Sequence, residues 1–263
     1  MIGNTKLLFE DSFGIVGTRK ITDYGIKNCE NFTKEFVFRN IPVVSGMALG
    51  TDTVAHKTSL CYAGKTIAVL GSGFGNIFPI ENKDLFEKII ENDGLVITEF
   101  EYDIKPLKQN FPKRNRIITA LSEGILVIEA GYRSGSSISA KNAIKQGKLV
   151  FALPGMLDST VGVGVNNLIK NGAILTTGIK DILKNYSQFE NRKRITRRKI
   201  LSKCVKMKKE YREIYEIIEN GNETVNDILE NSNLETREIL KLLTKMEIEG
   251  IVEQDISGKY VLK

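Results

Sequence analysis

The feature that most constrains this chain is a repeated alternation of short apolar runs and longer helical stretches between residues 13 and 184. Each run is nearly continuous in Val, Ile and Leu, which is typical of a strand covered on both faces of a sheet. The intervening segments carry helical apolar spacing and often end in glycine, as capped helices do. Parallel strands need crossover connections, usually helices, so the sequence predicts an α/β fold with a doubly wound, mostly parallel sheet. The seven predicted strands are 13–17, 41–46, 65–71, 94–100, 124–130, 148–155 and 173–178.

The pattern changes after residue 185. Residues 186–209 contain no comparable strand, and ten Lys or Arg without a single acid stand between Asn191 and Lys209. Three helical stretches and two short strands around Ser257-Gly258 follow, an order typical of a winged helix. We therefore predict an α/β domain at 1–185, a basic linker at 186–209 and a winged-helix domain at 210–263. Blocks of like charge often mark interaction segments, and a solvated linker is an equally good interpretation of this one.

Composition excludes several classes of protein. No apolar run reaches the roughly 20 residues that a membrane-spanning helix needs, and the N-terminus lacks the pattern of a secretory signal. Three distant cysteines, Cys29, Cys61 and Cys204, fit buried thiols in a reducing cytoplasm. One histidine and no CxxC or HExxH motif leave little material for a transition-metal site. We expect a cytoplasmic protein without a metal ion and without membrane association.

Ligands of open parallel α/β sheets bind outside the carboxyl ends of the strands, where this sequence is rich in glycine, hydroxyl and arginine side chains. Glycines let backbone N–H groups approach an anion, and helix N-termini favour negative charge, so this edge suits phosphate. The first strand is followed by GTRKITDYG without GxGxxG, GSGFGN after the third strand is a partial match, and no P-loop is present. We therefore expect no cofactor, although any single glycine turn could serve only to reverse the chain.

Several blocks in order carry a family resemblance from about Phe13 to the C-terminus. They read GIVGTRKITDYG, VVSGMALGTDTVAH, TIAVLGSGFGNIFPIENKDLF, FPKRNRII, VIEAGYRSGSSISA and FALPG followed by GVGVNNLIKNGA. The chain resembles the DNA-processing protein A family, DprA, also called Smf. This implies a Rossmann-like, non-enzymatic homodimer that binds and protects single-stranded DNA and helps load the RecA recombinase in natural transformation or homologous recombination. Thr18 stands where the family usually has Ser, Leu49 stands where it usually has Arg or Lys, and about a dozen residues precede Phe13 where many relatives have a helical domain.

Matched residue by residue, the resemblance implies a DNA pocket lined by Arg19, Lys108 and Phe111. Arg and Lys neutralise phosphates, and an aromatic face stacks on any base. An alternative interpretation leaves Phe111 in the core and pairs Arg116 with a glutamate at a strand end. The candidate nucleic-acid-binding residues are Gly17, Thr18, Arg19, Lys20, Ser45, Gly46, Lys108, Phe111, Lys113, Arg114, Asn115, Arg116, Ser134, Gly135 and Ser136.

The residues give catalysis little support. His56 lies in a helical stretch without a visible Ser, Asp or metal partner, so we interpret it as a core residue. Glu99 and Glu129 end two strands and could form a general acid–base pair. Without a nucleophile or a metal motif, we interpret them as ion-pair partners of the arginines at this edge.

Two other functions compete with a single-stranded DNA mediator. A nucleoside-monophosphate phosphoribohydrolase of the lysine-decarboxylase-like family has a similar fold, but its signature PGGxGTxxE is absent from VIEAGYRSGSSISA. A transcription factor would bind duplex DNA through the C-terminal domain. That domain holds six basic and 13 acidic residues, and its net negative charge would repel duplex phosphates. A contact with another protein is the better expectation for that domain.

Overall fold

The computed structural model describes residues 1–132, 134–192, 209–248, 251–255 and 258–262. The chain divides into two compact units, and among the described residues the first reaches residue 192 and the second begins at residue 209. The first unit holds an eight-stranded sheet and the second a two-stranded sheet.

The strands of the first unit are β1 (Ile2–Gly3), β2 (Phe13–Val16), β3 (Val43–Ser45), β4 (Thr66–Val69), β5 (Leu95–Ile97), β6 (Gly124–Val127), β7 (Leu149–Ala152) and β8 (Ile174–Leu175). Their order in the sheet is β1-β5-β4-β3-β2-β6-β7-β8. All neighbours from β5 to β8 pair in parallel, and β1 pairs antiparallel with β5. The predicted mostly parallel α/β sheet is confirmed. The sequence missed β1, because two residues are too few to show a periodicity.

The helices of the first unit are α1 (Asp23–Val37), α2 (Thr51–Cys61), α3 (Lys83–Glu91), α4 (Asn110–Ala120), α5 (Gly135–Lys145), α6 (Val163–Lys170), α7 (Ile179–Leu183) and α8 (Ser187–Glu190). Short 3-10 turns occur at Thr5–Phe9 and Ile80–Asn82. Thr22 caps α1, because its hydroxyl accepts a hydrogen bond from the Gly25 N–H at 3.2 Å. Such a cap satisfies one of the unpaired N–H groups of a helix start.

Helices cover both faces of this sheet, as its continuously apolar strands require. Side chains of α1, α2, α3, α7 and α8 pack on one face, and those of α4, α5 and α6 pack on the other. Along β2, Phe13 and Ile15 pack on the face covered by α1, and Val16 packs on the face covered by α4 to α6, because successive strand residues point to opposite faces. The helices that follow β2 and its neighbour β6 lie on opposite faces. A crevice therefore opens beyond the carboxyl ends of these two strands.

The predicted linker begins too early. Tyr186 and Phe189 are buried in the core of the first unit, and the Tyr186 hydroxyl donates to the Glu123 carbonyl at 3.1 Å. Arg192, the first of the ten cations, pairs with Asp11 at 3.0 Å. The α/β domain therefore continues at least to Arg192, and residues 193–208 of the predicted linker lie outside the described residues.

The second unit has three helices followed by two antiparallel strands. The helices are α9 (Lys209–Glu219), α10 (Val225–Glu230) and α11 (Thr236–Ile248), and the strands are β9 (Val252–Gln254) and β10 (Tyr260–Leu262). Thr224 and Asp227 form a capping box at the start of α10. The order of elements agrees with the sequence expectation, and the winged-helix assignment itself stays a prediction.

In the described part of the chain, every helix is too short or too polar to span a bilayer. Cys29 is buried as expected, whereas Cys61 is exposed, and Cys204 lies outside the described part of the chain.

Candidate functional site

A cleft of about 680 Å³ lies at the carboxyl edge of the sheet, where the chain leaves β2 and β6 on opposite faces. The turn after β2, the start of α4 and the start of α5 form its walls. It is lined by Val16, Gly17, Thr18, Arg19, Ala48, Asp52, Phe78, Pro106, Lys108, Phe111, Pro112, Arg114, Asn115, Ile118, Ser134, Gly135, Ser136 and Ser139. We call this space the cleft.

The turn after β2 is held against the start of α2. The Thr51 N–H and hydroxyl both donate to the Thr18 carbonyl, at 3.1 and 3.2 Å. Gly50 permits this contact, because its φ is +78° and a Cβ there would lie 2.4 Å from the Thr18 carbonyl oxygen. The backbone on both sides of Arg19 is thus fixed while the Arg19 side chain stays exposed at the cleft.

Phe111 stands in the first turn of α4 and is half-buried. Its ring packs on Gly71, where an added Cβ would lie 2.7 Å from a ring carbon. The Arg19 guanidinium carbon lies 5.3 Å from the centre of the ring, and the Phe78 ring lies 5.6 Å away, centre to centre, at 45°. Phe111 therefore packs against the protein on one side and lines the cleft on another. It is neither a fully buried core residue nor a freely exposed ring.

Arg114 has a different environment from the other predicted cations. It is 3% exposed, and its guanidinium donates to the backbone carbonyls of Gly46 and Val69. Burial lowers the pKa of Arg114 to about 10, and the nearby Asp52 carboxylate opposes that shift. Burial in turn raises the pKa of Asp52, against the attraction of Arg114. The Arg114 guanidinium is thus engaged by backbone carbonyls, and these contacts tie α4 to the ends of β3 and β4.

The exposed cations divide by position. Arg19 and Lys108 line the cleft, whereas Lys20 and Lys113 are exposed outside its lining. None of these four has an ion-pair partner within the described part of the chain. Phosphates at the cleft would therefore meet two unpaired positive charges directly.

The two strand-end glutamates have different partners. Arg116 pairs with Glu99, as the alternative interpretation expected, and it does not line the cleft. Glu129 instead accepts hydrogen bonds from the Thr22 N–H at 3.0 Å and the Thr22 hydroxyl at 2.6 Å. No arginine among the described residues pairs with Glu129, and this carboxylate holds the start of α1.

The N-terminus of α5 faces the turn after β2 across the cleft. The Ser134 hydroxyl lies 2.8 Å from that of Ser136 and caps the helix by accepting from the Ser137 N–H at 3.4 Å. The Asn115 side chain donates to the Gly135 carbonyl at 3.3 Å and ties α4 to this end of α5. A helix start carries unpaired N–H groups and partial positive charge, so this wall favours an anion.

Three residues singled out in the sequence do not line the cleft. Ser45 is fully buried and donates to the Ile15 carbonyl at 2.6 Å, so it does not line the cleft. Gly46 lines only a second, smaller recess that opens beside the cleft. His56 is fully buried, as expected of a core residue, and its Nδ1 lies 2.7 Å from the Thr66 hydroxyl. Burial lowers the pKa of His56 to about 3, so the ring stays neutral.

Sequence reasoning missed Phe78 and Pro106, which also line the cleft. Phe78 is 42% exposed, a large apolar side chain that faces the ring of Phe111. A signal was present, because the Phe-Pro pair at 78–79 repeats the pair at 111–112, where the phenylalanine was selected. Nothing in the spacing of the two pairs indicated that they meet.

Comparisons with known proteins agree with these features. The family profile described as DNA recombination-mediator protein A matches residues 1–187. Protein Smf of Escherichia coli is 42% identical over 183 residues, which are 70% of this chain and 49% of that protein. DNA processing protein DprA of Streptococcus pneumoniae is 40% identical over 184 residues, which are 70% of this chain and 64% of that protein. The chain thus spans about half of the first relative and just under two thirds of the second.

Two solved structures share the fold of the first unit. DprA from Streptococcus pneumoniae superposes with a TM-score of 0.65 at 39% identity, over 70% of this chain and 64% of the other. DprA from Helicobacter pylori, whose structure is described in terms of its single-stranded DNA binding mode, has a TM-score of 0.65 at 32% identity, over 71% and 85% of the two chains. By its sequence profile, its relatives and its fold, this chain belongs to the DNA recombination-mediator protein A family, the DprA/Smf proteins.

Proposed function

We propose that this protein binds single-stranded DNA in the cleft and acts as a recombination mediator, not as an enzyme. The observation that carries the proposal is the pair formed by Arg19 and Phe111, with an unpaired guanidinium 5.3 Å from the centre of a half-buried ring. The pair offers a phosphate contact and a stacking face at one point. These are the two elements that sequence-tolerant single-strand binding requires.

The same geometry discriminates against duplex DNA. A base can stack on Phe111 only after it leaves its own stack and its pairing partner, which costs a few kcal/mol in a duplex and far less in a single strand. Arg19 and Lys108 would contact phosphates of either form. Selectivity for single strands therefore comes from the aromatic side chain, and the salt dependence comes from the cations.

The three side chains that the sequence offered as catalytic candidates have other roles. His56 is buried away from the cleft and neutral, Glu99 is paired with Arg116, and Glu129 is occupied by Thr22. None of the three lines the cleft. The Helicobacter pylori relative is known for a single-stranded DNA binding mode, which favours a binding role here as well.

The proposal extends to partners and compartment. We infer a cytoplasmic homodimer that protects incoming or processed single strands and helps to load RecA. Our candidate dimer surface is the segment 155–175, which exposes Met156, Leu157, Val163 and Leu175. Leu168 and Ile169 of the same segment pack on the core of their own unit, so the four exposed side chains are the better candidates.

The test compares a mixed-sequence single strand with the blunt duplex of the same sequence, by fluorescence anisotropy over a range of salt concentrations. We expect tighter binding to the single strand and a steep loss of affinity with salt. Equal affinity for both forms at moderate salt contradicts the proposal. A parallel incubation with AMP, assayed for free adenine, decides against the phosphoribohydrolase alternative if no base is released.

A further inference from the structure

A second, smaller recess opens beside the cleft, with a volume of about 60 Å³. We call it the niche. The niche is continuous with the cleft, because the two spaces share Arg19, Ala48, Phe78, Phe111 and Arg114. Gly46, Leu49 and Pro79 complete its lining.

The mouth of the niche is formed by two apolar side chains that stay exposed. Leu49 is 39% exposed and lies in the loop between β3 and α2. Phe78 is 42% exposed and lies in the loop that follows β4. The loop that carries Leu49 is fixed by left-handed residues on both sides, Met47 with φ 59° and Gly50 with φ 78°. Leu49 is therefore held at the niche instead of folding into the core, and both side chains would lose contact with water if a group filled the niche.

The size of the niche limits what can enter it. A cavity needs about 10–15 Å³ to hold one water molecule. At about 60 Å³, the niche has room for a few groups of that size but not for a whole nucleotide. Its entrance is shared with Phe111, the stacking face of the cleft. A base stacked there would bring one edge to the niche while its ring and phosphate stay outside.

Among the edges of the four DNA bases, thymine alone projects an apolar group, its C5-methyl. A methyl group matches the size of the niche and the apolar part of its lining, Leu49, Phe78 and Pro79, which lies beside Arg19 and Arg114. We propose that the niche takes the C5-methyl of a thymine in the bound strand, so that the protein prefers thymine over uracil at one seated position. This inference rests on the proposed binding of single-stranded DNA in the cleft.

The test compares deoxythymidine and deoxyuridine oligonucleotides of equal length, which differ only in the methyl group. Burying one methyl changes an equilibrium by about fourfold, so we expect roughly fourfold tighter binding to the thymine strand for each occupied niche. The salt dependence should be the same for both strands, because their phosphates are identical. Equal affinity for the two strands refutes the niche and leaves the proposed function intact. Failure of both strands to bind refutes the proposed function as well.

Substitutions at Leu49 locate the effect. Leu49→Ala removes the wall, and Leu49→Lys puts a charged chain at the mouth, so both should bring the thymine-to-uracil ratio close to one. Leu49→Lys should also tighten binding of both strands, because it adds a cation beside the cleft. Leu240→Lys is the control, with the same change at an exposed leucine of the second unit, and it should keep the wild-type ratio. A ratio that survives unchanged in both Leu49 variants overturns the proposal, because the preference then arises elsewhere.

Discussion

The sharpest prediction concerns Arg19 and Phe111, because substituting each of them should change DNA binding in a different way. Phe111→Ala removes a stacking contact worth about 1–3 kcal/mol per base, so affinity for a single strand should fall between about fivefold and 150-fold. Its salt dependence should not change, because no charge is removed. Arg19→Ala removes one phosphate contact, which should lower the salt slope by about 0.7 for a single strand. Between about 50 and 200 mM salt, that slope corresponds to a roughly 2.6-fold change in affinity per contact.

Fluorescence anisotropy at several salt concentrations measures both quantities for each variant. Phe9→Ala is the matched aromatic control, since Phe9 is 91% exposed and does not line the cleft. Arg39→Ala is the matched charge control, since Arg39 pairs with Glu35 at the C-terminal end of α1. Because Arg19 lies over the Phe111 ring, the double variant should lose less than the sum of the two single losses in free energy.

Two results would refute this reasoning. If Phe111→Ala lowers the melting temperature and leaves DNA affinity unchanged, Phe111 is a core residue. If Arg19→Ala weakens binding equally at every salt concentration, Arg19 does not neutralise a phosphate and acts by positioning the ring of Phe111.

Three further predictions concern stability and assembly. Arg114→Leu should lower the free energy of unfolding in denaturant titrations by about 1–3 kcal/mol for each of the two buried carbonyls, of Gly46 and Val69, that lose their donor; a loss of DNA affinity without a loss of stability would contradict this. The unfolded chain protonates His56 below about pH 6.5 and the folded chain only near pH 3, so stability should fall with decreasing pH in that window, by up to about 1.4 kcal/mol per unit from this group. His56→Asn should flatten that slope, and an unchanged slope would show that other groups cause it. Leu157→Glu should turn a dimer into a monomer in size exclusion with light scattering, since a two-fold contact repeats the charge; a wild-type monomer at tens of micromolar would argue against dimerisation.

The sequence alone determined the sheet, the sites of its turns and the type of chemistry at its edge. Seven strands could be predicted because a strand that is buried on both faces must be continuously apolar, whichever helices pack on it. Arg19 and Ser134 could be singled out because polar residues next to glycine turns do not belong to such strands, whereas Phe111 followed only from the family resemblance. The two-residue β1 and the continuation of the domain through Phe189 were not readable, since neither shows a periodicity.

Only the tertiary structure decided what each cation of FPKRNRII does. Arg114 and Arg116 are two residues apart, and a rotation of about 200° on a helix with 3.6 residues per turn puts them on opposite faces. One is buried against β3 and β4 and the other pairs with Glu99 in solvent. The short α4 carries too few apolar residues to reveal which face meets the sheet. Likewise, Phe78 reaches the cleft and Leu49 reaches the niche from loops whose paths depend on the packing of the whole unit. The local sequence therefore does not show that these two side chains come together.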